Sequence, residues 1–553
     1  MPSALTPDAV TQRSSRLSTS LLLTERLLAG GALLVWLWFL VVLGNHAGGL
    51  WRDEVGSARL AQLPTWGQMY GSVAQDSFPP LFNTVLRLWI LVGGAGDDWM
   101  HAWGLVALLG MAAALWWSTR GPVSAVPLLS GALLLFNPTV FYWGSSLRAY
   151  GLAAILVILL FGAVWQLVER PTPRAFALAI GLSILNAQAT YQNASLILAV
   201  CVSAAVVAAI RGFWVRSGLA LGVGLAGALS LLLHYRAIQH VQEWNVLIRQ
   251  ELDFSWFIGR AADAFGSAGW GLVWLWVLLA AGMGTLAIYL GVRAGKEAGQ
   301  REECRASLYA FVCVVVATVA LLLFNKHAGY PTQEWYYIPF MALVACALEF
   351  SLGLWLRVEK VRIARVVVAA IVVVASLSSL GQRAQVRRTN MDLLVARLKA
   401  EAIPRDLILV SPFYCGIGFQ YYYRGNVPWL TIPPIPHEEV HNAYEQVKPY
   451  MMQSEPMRPV LEQVTATLRA GGRLWFVGGL RLPPEGTVPP PSPPAPHPQF
   501  GWSDEMYSQI WCLQVGHYVQ THATTARVVA VTEDQPVQKW EHLPLIEVSG
   551  WRE

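Results

Sequence analysis

LLAGGALLVWLWFLVVLGNHAGGLWRDE, residues 27–54, sets an unbroken apolar run directly against an aromatic, a cation and two adjacent carboxylates. A helix needs roughly 20 apolar residues to cross the hydrocarbon of a bilayer. Runs of that kind recur near 99–118, 123–142, 149–168, 175–190, 193–210, 217–235, 268–291, 306–324, 335–356 and 364–381, which with the first predicts about 11 transmembrane helices. Composition agrees, since 55% of the 553 residues are hydrophobic and 13% charged, against about 25% charged in soluble chains. The first run has no small-residue cleavage site behind it and reads as a retained signal anchor.

One further segment, 81–94, is apolar but short, carries Arg87 and follows Pro79-Pro80, so it either crosses or lies flat as a juxtamembrane helix. The excess of Lys and Arg on cytoplasmic loops decides between the two. With the segment flat and the N-terminus cytoplasmic, the inner segments at 13–26, 120, 170–174, 211–216, 293–305 and 357–365 hold sixteen Arg and Lys. The outer segments hold eight: Arg52, Arg59, Arg87, Arg148, Arg236, Arg249, Arg260 and Lys326. The expectation is a polytopic α-helical membrane protein of the bacterial plasma (inner) membrane, with residues 1–384 in the lipid bilayer and a first outer loop at 45–98. Membrane orientation explains the net charge of +5, and no nucleic acid partner is expected.

From residue 385 the chain is expected outside the cytoplasm as a separate domain, 385–553. Strand-like runs at 406–411, 427–432, 473–477 and 527–532 alternate with helical patterns at 438–451, 459–469 and 504–519, which predicts a C-terminal extracytoplasmic α/β domain. The Pro-rich stretch 483–499 reads as an exposed polyproline-like loop. No convincing internal repeat is found. Cys201, Cys304, Cys313 and Cys346 lie in or beside apolar runs without metal-ligand spacing. Cys415 and Cys512, in the polar tail, are read either as a disulfide or as two buried thiols.

Sorted by side, most unusual residues fall on the outer face. The first loop supplies Asp53, Glu54 and Asp76, and the next outer turns supply Arg148 and Tyr150, then Gln188, Tyr191, Gln192 and Asn193. Arg236, Trp244, Lys326, His327 and Tyr336 follow. Trp and Tyr also form the aromatic belt of any membrane protein, and Arg or Lys at span ends can snorkel. Asp53 and Glu54 serve neither purpose, and they stand near the rigid Asp76-Ser77-Phe78-Pro79-Pro80-Leu81 turn. Asp97 and Asp98 read as a helix N-cap and interfacial charge.

In order, Trp51-Arg52-Asp53-Glu54, Asp76-Ser77-Phe78-Pro79-Pro80-Leu81-Phe82 and Leu147-Arg148-Ala149-Tyr150 resemble motifs of the glycosyltransferase C superfamily, in particular bacterial relatives of protein O-mannosyltransferases and lipid A aminoarabinose transferases. Ser411-Pro412-Phe413-Tyr414 and Tyr421-Tyr422-Tyr423-Arg424-Gly425 are similar to segments of those enzymes' external domains. The resemblance implies a transferase that takes a hexosyl or pentosyl group from a polyprenyl-phosphate-linked sugar donor to an extracytoplasmic acceptor hydroxyl, with inversion. The acceptor is left open between protein, glycolipid and wall polymer.

Asp53 matches the first-loop catalytic aspartate, and a carboxylate in hydrogen-bond reach of an acceptor hydroxyl accepts its proton. Glu54 is expected to orient the acceptor or raise the basicity of Asp53. Fixed cations stabilise charge growing on the lipid phosphate, with Arg148 the first choice for its planar fork, then Lys326, His327 and Arg236. Asp76, Tyr150, Gln192, Trp244 and Tyr336 are expected to bind substrate. Some relatives bind a metal through acids or His of the outer loops, but the turn 142–150 has none, so no cofactor is required and a divalent metal is not favoured. His101 stands where relatives commonly carry Arg. The rivals are a transporter or flippase of a lipid-linked substrate, for which paired halves and midplane charges would be expected, and a catalytically silent relative that binds envelope polymer through its tail.

Overall fold

The structure, a computed structural model, describes residues 7–76, 78–119, 126–294, 302–353, 355–356, 358–437, 443–531 and 535–553. Ser77, Arg120, Lys296, Arg301, Arg357, Thr532 and the first part of the expected helix 438–451 lie outside the described residues.

The chain opens with the long helix α1 (Pro7–His46), and the first loop then folds as α2 (Arg52–Ala61), α3 (Trp66–Gly71) and the short apolar α4 (Leu81–Gly93). The bundle continues through α5 (Asp97–Thr119), α6 (Leu128–Leu135), α7 (Pro138–Gly144), α8 (Tyr150–Glu169), α9 (Pro173–Ala187), α10 (Asn193–Ile210) and α11 (Trp214–Ser230). After α12 (Tyr235–Asn245) and α13 (Phe254–Phe265) it closes with α14 (Trp270–Ala294), α15 (Glu302–Ala328), α16 (Ile338–Gly353) and α17 (Glu359–Ala384).

Among the described residues nine helices are long and apolar enough to cross a membrane. The protein is therefore a multi-pass membrane protein, but the expected count of eleven is not reached by helix length. Asn137-Pro138 breaks the run 123–142, because Asn137 Oδ1 accepts from Val140 N and Pro138 takes a first-turn position, so α7 starts anew. The run 175–190 forms only the 15-residue α9. α4, at 13 residues, is too short to span. Over their most apolar windows α8 and α16 are each 72% buried and α1 only 17%, which puts the first two at the bundle's centre and leaves α1 to face lipid.

The tail comprises α18 (Met391–Glu401), α19 (Gly416–Tyr422), α20 (Ala443–Met451), α21 (Arg458–Arg469) and α22 (Asp504–His522) with five strands. These are β1 (Leu407–Ser411), β2 (Trp429–Thr431), β3 (Leu474–Gly478), β4 (Ala523–Val529) and β5 (Leu545–Trp551). The sheet order is β2-β1-β3-β5-β4, parallel from β2 to β3 and antiparallel beyond. β1 and β3 are buried at every residue, as strands covered on both faces should be. A second hydrophobic core, from Met391 to Val548, fills this domain, and Leu247 from the loop after α12 is packed into it.

The tail docks on the end of α1. Arg388 N donates to Ala47 O at 2.8 Å, Leu50 N donates to Tyr422 Oη at 2.6 Å, and Tyr422 Oη donates to Asp97 at 2.9 Å. Gly48 makes this approach feasible: its φ is +68°, and a Cβ there would lie 2.5 Å from the Arg387 guanidinium.

At the opposite end of the bundle a buried ionic network joins four helices. Arg362 Nε lies 3.1 Å from Glu25 and Arg365 Nη1 3.2 Å from Glu349, while Glu349 also accepts from Ser130 N at 2.8 Å. Removing one member strands a charge in a low-dielectric interior, at about 3–5 kcal/mol. Arg365→Ala is accordingly expected to lower the unfolding temperature of the detergent-solubilised protein sharply, whereas alanine at the exposed Arg236 should leave it nearly unchanged.

Candidate active site

The three carboxylates of the first loop meet different fates. Glu54 is fully buried at the start of α2, where one oxygen accepts from Trp51 N at 3.1 Å and the other from Leu147 N at 2.8 Å. It therefore caps α2 and pins the turn 145–149 against it, and it does not face an acceptor as expected. Asp76 is also buried, accepting from Ser57 Oγ at 3.1 Å and pairing with Arg148 Nη1 at 3.2 Å. Asp53 alone keeps an accessible side chain, 36% exposed, with Arg52 Nε 3.4 Å away.

Arg148 is buried, and its polar contacts run through one nitrogen, Nη1. Its Nη1 donates to Asp53 O at 3.0 Å and to Ser57 Oγ at 2.7 Å, and its guanidinium lies 4.5 Å over the Phe78 ring. Burial works against its charge, and Asp76 and then Asp53 outweigh that effect, so the group stays protonated. Asp76 pairs with this charge and Nη1 holds the backbone of Asp53, so the phosphate expected to meet Arg148 would compete with that ion pair. Gly104 of α5 permits the arrangement, since a Cβ there would lie 2.0 Å from Ser145 O.

Tyr150 and Tyr336 lie in this group, Tyr150 edge-on to Phe78 at 5.5 Å and 5.7 Å from Tyr336. Trp244 borders the first loop, its indole donating to Ala74 O at 3.1 Å, and Gln192 contacts Asn325 at 3.5 Å. The other expected cations are not drawn in. Lys326 Nζ donates to Leu252 O, the carbonyl of His327 accepts from Arg249, and both side chains are exposed at the end of α15; Arg236 is exposed on α12. His101 bonds Gly48 O at 2.9 Å.

The tail also reaches this region, through Tyr414 of the Ser411–Tyr414 segment and through Glu541, Tyr444 and Asp504, which no motif announced. Arg52, a quarter exposed, lies 4.5 Å over the Tyr414 ring and 3.8 Å from Glu541. Burial opposes its charge and Asp53 and Glu541 more than restore it. Tyr444 stacks on Trp244, and Asp504 N donates to Leu247 O at 3.0 Å. Asp504 and Glu541 are buried. Cys415 and Cys512 are both free, buried thiols. Among the described residues no three His, Cys, Asp or Glu side chains converge in a way that would hold a metal ion.

Over 94% of this chain and 97% of the other, the structure is similar to a crystal structure of ArnT from Cupriavidus metallidurans bound to undecaprenyl phosphate, with a TM-score of 0.51 at 12% identity. The chain shares its overall fold with that ArnT. The polytopic helical bundle and the C-terminal sheet domain agree with the fold class expected from the sequence. The apo form of the same ArnT gives a TM-score of 0.49 with the same coverage and identity. An Archaeoglobus fulgidus oligosaccharyltransferase in complex with Zn and sulfate gives 0.44 at 11% identity over 80% of this chain and 67% of that one. No family model matches the chain, and no curated protein matches its sequence.

Burial pushes Asp504 and Glu541 up to about 7. An acid whose folded pKa lies above its unfolded value binds its proton more tightly when folded, so stability falls as pH rises from about 4 to about 7, by at most about 1.4 kcal/mol per pH unit per group. The unfolding temperature of the wild type should therefore fall between pH 5 and pH 7.5 more steeply than that of the Asp504→Asn, Glu541→Gln double variant.

Proposed function

We propose that the protein is a membrane glycosyltransferase that moves a hexosyl or pentosyl group from a polyprenyl-phosphate-linked donor to an acceptor hydroxyl, with inversion, on the non-cytoplasmic face of a bacterial plasma membrane. The observation that carries this reading is the accessibility of Asp53 among three clustered acids, two of which are consumed by the scaffold. Its backbone is fixed by Arg148, so a partly solvated carboxylate is presented in a set position. A similarity in fold to an ArnT described as bound to undecaprenyl phosphate supports a lipid-phosphate donor.

In this reading Asp53 accepts the acceptor's proton as its oxygen attacks the anomeric carbon. The bond from that carbon to the phosphate oxygen breaks on the opposite face, and the polyprenyl phosphate leaves with the bonding pair. Charge grows on the phosphate, and a fixed cation that meets it there stabilises the transition state. Arg52 takes the role first given to Arg148, because it lies beside Asp53 and keeps part of its guanidinium accessible. The reaction draws on no cofactor beyond the chain's own side chains.

Asp53→Asn keeps the shape and removes the base. Membranes carrying it should show sugar transfer from a polyprenyl-phosphate sugar reduced at least about 100-fold, general-base contributions being typically 10²–10⁴, with insertion and unfolding temperature unchanged. Undiminished movement of the lipid-linked substrate across vesicles, with no transfer by the wild type, would instead support a transporter or flippase.

A further inference from the structure

The turn between α9 and α10 concentrates polar side chains whose hydrogen-bonding capacity the scaffold uses only in part, Gln188 Nε2 for one donating to Ser230 O at 3.1 Å and to its Oγ at 3.2 Å. Asn186 and Asn193, both fully buried, bond each other, and Asn193 Nδ2 also reaches Ala153 O at 3.3 Å. Even so, Asn186 Nδ2, Gln188 Oε1, Thr190 Oγ1, Tyr191 Oη and Asn193 Oδ1 are buried without a protein hydrogen-bond partner among the described residues. Five such atoms fall within eight consecutive residues. A buried polar group left bare costs about 1–3 kcal/mol, and native structures keep few of them, so this turn is built to meet a polar guest.

Three observations place it beside the chemistry. Gln188 O accepts from Leu81 N at 3.2 Å, which holds the turn against the segment that follows Asp76. Tyr191 lies within electrostatic range of Asp76, the residue that anchors Arg148 and through it the backbone of Asp53. Gln192 reaches toward Asn325 on the far wall. The stretch 186–193 contains no ionisable acid or base other than the Tyr191 phenol. An ammonium group would find Asp76 already paired with Arg148 and would be desolvated without a counter-charge. Amide and hydroxyl groups that both donate and accept match the hydroxyls of a neutral sugar ring instead.

Taking the donor reading above as its premise, we propose that this turn is the glycosyl subsite, in which Gln188, Thr190 and Tyr191 bind hydroxyls of an uncharged, hydroxyl-rich sugar on the lipid-linked donor. An amino sugar is disfavoured by the same geometry.

Thr190→Val and Tyr191→Phe delete hydroxyls that have no hydrogen-bond partner among the described residues, so both variants should fold with unchanged unfolding temperatures. The full chain in detergent is titrated by native mass spectrometry with polyprenyl phosphate, a polyprenyl-phosphate hexose and a polyprenyl-phosphate aminopentose. The hexose lipid should bind more tightly than either other probe. Each variant should reduce that preference roughly three- to tenfold, as the loss of one hydrogen bond requires. A preference that survives in both variants, or a preference for the aminopentose, would overturn the subsite and leave the turn as a holder of buried water. Failure of all three lipids to bind would overturn the donor reading, and the subsite with it.

Discussion

Everything at the candidate centre depends on one buried carboxylate. Glu54 joins residues 93 apart in sequence, closing the first turn of α2 through Trp51 and fastening the turn 145–149 through Leu147. With that clamp in place, Arg148 is delivered to Asp53 O and Asp76, and Asp53 is left facing outward. The cost of burying an acid is met by two backbone donors that would otherwise be orphaned. Adjacent residues of the same chemical type thus part company, Glu54 held in the scaffold and Asp53 left accessible.

Much of this was legible in the sequence, because ionisable residues stand out in a chain so apolar, and the clustering of Asp53, Asp76, Arg148, Tyr150 and Tyr336 followed from sorting span ends by side. The division between Asp53 and Glu54 was not legible, since it depends on a distant amide. The same limit applies to Arg148, whose neutralisation by Asp76 is a tertiary event. Asp504 and Glu541 carry no motif and reach the site only through the docking of the tail. The break in the third predicted span, by contrast, had a visible signal: Asn137 followed by Pro138 is a helix start.

In the tail, four of the five strands were anticipated in place, but β5 was missed. Its buried Glu547 looks foreign to a strand core until Arg527 is found bonded to it at 2.6 Å on the neighbouring strand. A cross-strand ion pair conceals a strand from any reading based on alternation alone.

The docking contacts at Gly48 and Leu50 also bear on biogenesis. Leu50 N finds its partner on Tyr422, 372 residues later, so at about 5–20 residues per second the ribosome needs tens of seconds to supply it. Throughout that interval the loop bearing Asp53 lacks the groups that hold its leading edge. Maturation of the candidate centre is therefore tied to completion of translation, and a truncated nascent chain inserts its helices without completing it.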